Sequence, residues 1–107
     1  MASFSDAIRE QVWEKATIVA GYNPSKWRKD FAGAWIGHDY YGMMGNYGWE
    51  IDHMKPQVLG GSDDIDNLNA LHWQNNRSKG DNYPTFSTTV RARDNRNEDY
   101  IQNWRIS

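Results

Sequence analysis

With 107 residues, the chain has room for one domain with one modest core, so a second catalytic domain is not expected. A hydrophobic fraction of 38% that includes six Trp and six Tyr excludes a disordered chain and predicts a core of few, large side chains. The absence of Cys excludes disulfides and thiolate zinc sites, and a formal charge of -2 excludes nucleic-acid binding by bulk electrostatics, so local clusters of cations would have to serve.

Residues 5–20 are predicted as a helix: Ser5 can cap it, Ile8, Val12 and Ala16 recur at fourfold spacing, and Gly21 can close it. Asn23-Pro24-Ser25 signals a turn, after which Trp27, Phe31, Trp35 and Ile36 alternate with polar residues and Gly33 as in a short hairpin. Residues 40–47, YYGMMGNY, read as an irregular loop held by its aromatics. Residues 49–54 alternate apolar Trp49 and Ile51 with polar Glu50 and Asp52, as a strand does. Residues 56–66 contain Gly60-Gly61 and three acids, too many breakers for a regular element, and residues 68–71 can return as a short strand. Residues 73–80 form a polar, single-faced helix closed by Gly80 and stopped near Pro84. In the tail, residues 88–93 are predicted as a strand, and NEDYIQNWRI as a short final helix or strand. There is no internal repeat or linker, and Asp6 and Glu10 stand where a signal peptide would need positive charge, so a soluble, cytoplasmic chain is expected. Export as a toxin module is the alternative.

Asp52-His53, at a strand end, joins a hard oxygen ligand to an imidazole suited to proton transfer near neutral pH. A second oxygen ligand can come from Asn76 on the following helix, leaving coordination positions open for water and phosphate as a Mg²⁺ site demands. Lys79, at i+3 from Asn76, shares its helix face and can neutralise the same phosphate. Together these groups supply what phosphodiester hydrolysis requires: an activated water, charge stabilisation and help for the leaving oxygen.

The stretch WEIDHMKPQVLGGSDDIDNLNALHWQNNRSKGDNYP resembles the HNH, or ββα-metal, endonucleases over about a third of the chain, closest to their Cys-free, H-N-N members. It also resembles, without gaps, the HNH domain of CRISPR-guided DNA nucleases. The resemblance implies an α+β fold with a small ββα-metal (HNH/His-Me finger) core, an N-terminal helix and a short C-terminal extension. It implies one divalent ion, Mg²⁺ or else Mn²⁺, held by Asp52 and Asn76, with His53 as general base and Asn67 tying down the loop and orienting that base. Where many relatives carry a second Cys knuckle, His72 and Asn75 stand here; no structural zinc is expected, and packing by Trp49, Trp73 and the YYG and NYG segments is the expected brace.

Other residues admit plainer readings. Asp63, Asp64 and Asp66 lack the EF-hand spacing and are read as loop solvation, Glu50, on the same side of its strand as Asp52, as part of a solvated strand face with an acid supporting the site as the alternative, and His38 as a loop residue without catalytic consequence. His72 is read as a packed junction residue, with contact to substrate phosphate as the alternative. Arg77, Arg91 and Arg93 are the candidate phosphate contacts, although Arg91 and Arg93 also suit a charged strand edge. The expected substrate is DNA, double-stranded, cut with little intrinsic sequence specificity. A catalytically silent module that binds nucleic acid or protein, or a toxin-type nuclease held by an immunity partner, is the competing reading.

Overall fold

The structure, a computed structural model, describes residues 4–107. Helix α1 (Asp6–Lys15) begins where the Ser5 hydroxyl accepts the Ile8 amide, with Asp6 in its first turn and Lys15 in its last, both favourable to the helix dipole. It ends at Lys15 and not at residue 20. Thr17 exchanges backbone bonds of 2.8 and 3.0 Å with Lys29, and the Arg28 guanidinium takes the carbonyls of Glu14 and Ala16, so the backbone there pairs with a strand. The fourfold apolar spacing reaches Ala16, but the β-branched residues beyond it favour extended chain.

The predicted hairpin is present as β1 (Trp27–Lys29) and β2 (Trp35–Gly37), closed by a turn in which Gly33 adopts φ 90° and Asp30 caps the Ala34 amide. Next comes the strand, strand, helix order that the resemblance implies. Strands β3 (Trp49–His53) and β4 (Leu68–His72) pair antiparallel in the register Trp49↔His72 and His53↔Leu68, and α2 (Trp73–Lys79) follows with no intervening loop. The core gathers Val12 and Trp13 of α1, Ile36 of β2, Trp49 of β3, and Leu68 and Ala70 of β4, so the ββα unit is packed on one side by the N-terminal elements. Each fully buried large side chain there is worth about 1.5–3 kcal/mol of transfer free energy. Lys15 adds a tether by donating to the carbonyls of Ile65 and Leu68, which fastens α1 to the end of the long loop.

The C-terminal extension is larger than expected. Strands β5 (Thr85–Arg93) and β6 (Arg96–Arg105) form a long antiparallel hairpin, with a bulge between Thr88 and Val90. Residues 96–105 are therefore strand, not helix: Trp104 stacks on Phe86 and donates to the Thr88 hydroxyl, contacts that strand pairing supplies. Helix α2 packs on β5 through Asn75, whose amide oxygen accepts the Thr89 and Val90 amides and whose nitrogen donates to Asp30 and to the Val90 carbonyl. The protein is thus an α+β fold of three two-stranded sheets, two α-helices and three single-turn 3-10 helices among the described residues. No described helix is long and apolar enough to cross a membrane.

Aromatic packing is only part of what braces the ββα unit. Tyr41 meets Trp49 edge-on at 4.8 Å, and the Trp73 indole donates to the Gly45 carbonyl at 2.6 Å. The rest is a buried polar network. Asp30 accepts from the His72 amide at 2.9 Å and from the Asn75 amide nitrogen at 3.0 Å, while the His72 ring donates from Nε2 to the Asn46 carbonyl and accepts the Gln74 amide at Nδ1. His72 and Asn75, the positions where relatives carry a Cys knuckle, are therefore joined by hydrogen bonds through Asp30, which follows β1 in the first hairpin.

Candidate active site

Asp52 and His53 end β3 where the chain leaves the sheet, and α2 crosses above them. A cleft of about 310 Å³ opens there, lined by Asp52, His53, Gln57, Asn76, Gly80 and Asp81 among others. The three residues singled out by spacing, Asp52, His53 and Asn76, thus share one cavity.

Alternation along β3 places Glu50 and Asp52 on one face, and that face is covered by α2 rather than solvated. Asp52 is 4% exposed. Its Oδ1 lies 3.1 Å from the Lys79 ammonium, whereas its Oδ2 is buried without a hydrogen-bond partner among the described residues. Burial pushes the Asp52 carboxyl above its ordinary value, and the Lys79 charge and hydrogen bond oppose that rise. Lys79 itself is 0% exposed: its Nζ also donates to the His53 carbonyl at 2.9 Å and lies 5.2 Å from the Phe86 ring centre. A substrate phosphate does not reach it in this arrangement. Its place is behind Asp52, because α2 turns the Lys79 side chain inward onto β3 while Asn76 faces the cleft.

Asn76 donates from Nδ2 to Glu50 Oε1 at 3.0 Å, which sets the amide plane and leaves its oxygen for another partner. Glu50 is accordingly half-buried and engaged, in place of the solvated role expected of it. Arg77, beside them, is exposed, 3.9 Å from Glu50 Oε2 and over the Trp73 ring. The other candidate contacts lie elsewhere. His72 is fully buried with both ring nitrogens bonded to backbone, and burial lowers its pKa more than the Asn46 carbonyl bond raises it, so contact with a substrate phosphate is closed to it. Arg91 stacks on Tyr100 at 3.4 Å, Arg93 is 3.5 Å from Glu98, and neither lines the cleft.

His53 stands at the cleft's lip, its ring 5.8 Å from that of Phe4 and its Nε2 2.7 Å from Asp63 Oδ1. The loop between β3 and β4 is clamped by Asn67, whose side chain donates to the carbonyls of Lys55 and Ser62 and accepts the Lys55 amide. Gly61 allows this closure, since a Cβ there would stand 1.7 Å from the Lys55 carbonyl oxygen. Asn67 thus fixes the loop, while the group bonded to the His53 ring is Asp63. The sequence alone favours solvent for Glu50 and Asp63. Strand alternation put Glu50 beside Asp52 but said nothing of the helix above, and nothing local marks Asp63 among three neighbouring acids.

Among the described residues, no group of three or more His, Asp or Glu side chains converges on one point as a metal-binding set. An ion here would rest on fewer protein ligands, and the donors suit one: the orphaned Asp52 Oδ2 and the free oxygen of Asn76 are both hard oxygens on one cleft. Residues 37–82 match the family model described as HNH endonuclease, which spans the end of β2 through α2 and includes every cleft residue named above. Nuclease activity is what that family carries. No curated protein and no solved structure matches the chain.

Proposed function

We propose, from the premise that residues 37–82 are an HNH endonuclease segment, that this protein is a metal-dependent endonuclease cutting DNA by a one-metal mechanism with His53 as general base. The observation that carries the reading is the meeting of Asp52, His53 and Asn76 in one cleft, with Asp52 Oδ2 buried and, among the described residues, unpaired. A lone buried carboxylate oxygen is costly, and a cation at the cleft would offset that cost. Asp52 Oδ2 and the Asn76 oxygen would hold Mg²⁺, or Mn²⁺ in its place. Such an ion supplies positive charge to the phosphate oxygens and the leaving 3′ oxygen.

The chain's own residues do the rest. His53 Nδ1, the ring nitrogen not bonded to Asp63, takes a proton from the attacking water. Lys79 holds the Asp52 carboxylate and the His53 carbonyl in fixed relation, a positioning role. Glu50 orients Asn76. Arg77, exposed beside Glu50, would meet a flanking phosphate, while Arg91 and Arg93, which pair with Glu98 away from the cleft, would contact the nucleic-acid backbone only on leaving that acid. Little sequence specificity is expected in this reading, because base readout needs an element inserted in a groove. In this reading residues 1–107 act as a single nuclease domain, a reading supported by the packing of α1 and both flanking hairpins on the segment.

Purified protein incubated with supercoiled plasmid and Mg²⁺, Mn²⁺ or no metal tests this. Nicked or linear product that EDTA and His53→Ala abolish is expected. If neither ion yields product, the silent binding-module reading replaces it.

A further inference from the structure

The structure assigns to Asp63 the task of positioning His53, a role that rests on the reading of His53 as the base. We infer that its carboxylate fixes the imidazole in the tautomer protonated at Nε2 and thereby reserves Nδ1 for the proton of the attacking water. A carboxylate only accepts hydrogen bonds, so the 2.7 Å contact between His53 Nε2 and Asp63 Oδ1 requires the hydrogen on Nε2. A neutral imidazole carries one such hydrogen, and Nδ1 is left as the lone-pair nitrogen.

The loop is built to deliver that carboxylate. Gly60, at φ 91°, turns the chain back, and Gly61 passes Lys55 at a distance no side chain would allow. Asn67 then holds Ser62 by its carbonyl at 2.8 Å, immediately before Asp63, so the acid stands over a ring ten positions earlier in sequence. Gln57 donates to the same Asp63 oxygen at 3.1 Å, which limits rotation of the carboxylate. Because Asp63 is 60% exposed, the attraction itself stabilises the fold little, and the effect falls on ring orientation and tautomer. When Nδ1 accepts the water proton, the ring becomes an imidazolium that keeps its Nε2 hydrogen on Asp63. The carboxylate stabilises that cation without itself taking the proton.

The test compares wild-type protein with Asp63→Ala and Asp63→Asn, with Asp64→Asn as a control from the same loop. Two readouts are taken: plasmid cleavage, and nitrogen-15 spectra of the His53 ring at mildly alkaline pH, assigned by the signals lost in His53→Ala. The wild-type ring is expected to be protonated at Nε2, and the Asp63 variants to show a tautomer mixture. Their kcat should fall about 10–100-fold, with KM changed far less. A wild-type ring protonated at Nδ1, or Asp63 variants that keep either the wild-type tautomer or the wild-type kcat, overturns the assignment. Should the wild-type protein cleave nothing, the nuclease reading fails separately, and the spectra alone decide whether Asp63 fixes the ring.

Discussion

The Lys79 ammonium lies 3.1 Å from the Asp52 carboxylate, and both side chains are out of solvent. A cation in the last turn of a helix usually reaches water; this one is drawn into the ββα unit and shared between Asp52 and the His53 carbonyl. Removing one partner of such a pair strands the other charge. Lys79→Met is therefore predicted to lower stability by about 3–5 kcal/mol in urea denaturation. Combining it with Asp52→Asn should recover part of that loss, and an additive pair would show that the two charges do not interact.

Asn75 carries a comparable load between α2 and the C-terminal hairpin. Its oxygen serves the Thr89 and Val90 amides beside the bulge, and its nitrogen serves Asp30. Asn75→Ala should cost about 1–3 kcal/mol for each buried group left unpaired. Hydrogen exchange at Thr89 and Val90 should accelerate in the variant before the rest of the sheet loosens, and unchanged protection there would remove the bracing role.

Asp30, buried beneath the same network, has its carboxyl pushed up to about 6 by burial, against the pull of its amide donors from His72, Asn75 and Ala34. The folded state therefore binds this proton more tightly than the unfolded chain. Its contribution is fully present below the ordinary carboxylate value of 3.8 and is lost as pH rises through about 6. Wild-type stability minus that of Asp30→Asn should fall by about 2–3 kcal/mol across this window. The hydrogen bond to Asp39, and then Glu10, raises the His38 pKa from 6.5, so its contribution is lost only at higher pH. A flat difference curve between pH 4 and 7 would contradict the assignment to Asp30.

Glu50 matters through Asn76. Freed of its 3.0 Å bond, the amide would rotate, so Glu50→Ala should weaken Mn²⁺ binding about 10-fold by calorimetry, less than Asn76→Ala does. Equal affinity in Glu50→Ala and wild type would show that the amide needs no orienting partner.

What the sequence made legible was mostly what spacing encodes. Asp52, His53, Asn67 and Asn76 stand at fixed intervals around a Gly-Gly loop, and the structure brings the first two and the last into one cleft while Asn67 clamps the loop. What it hid depends on partners distant in sequence. Helix-face reasoning makes Lys79 a phosphate contact beside Asn76, and alternation leaves Glu50 on a solvated strand face, until α2 is laid on β3, turning Lys79 onto Asp52 and Asn76 onto Glu50. The early end of α1 was hidden because Thr17 finds its partner at Lys29; residues 88–93 read as a strand, but its pairing with residues 96–105 was hidden because the apolar residues are spread thinly over both strands. Asp30 gave no signal at all. It matters only because the first hairpin folds against the base of α2.

Anomalous diffraction from crystals of the protein soaked in Mn²⁺ tests the metal centre most directly. One peak bound by Asp52 Oδ2 and the Asn76 side-chain oxygen, lost in Asp52→Ala, is predicted. A saturated soak with no peak in that cleft, or with its ion held by other residues, would contradict the central claim that these two side chains form the metal centre.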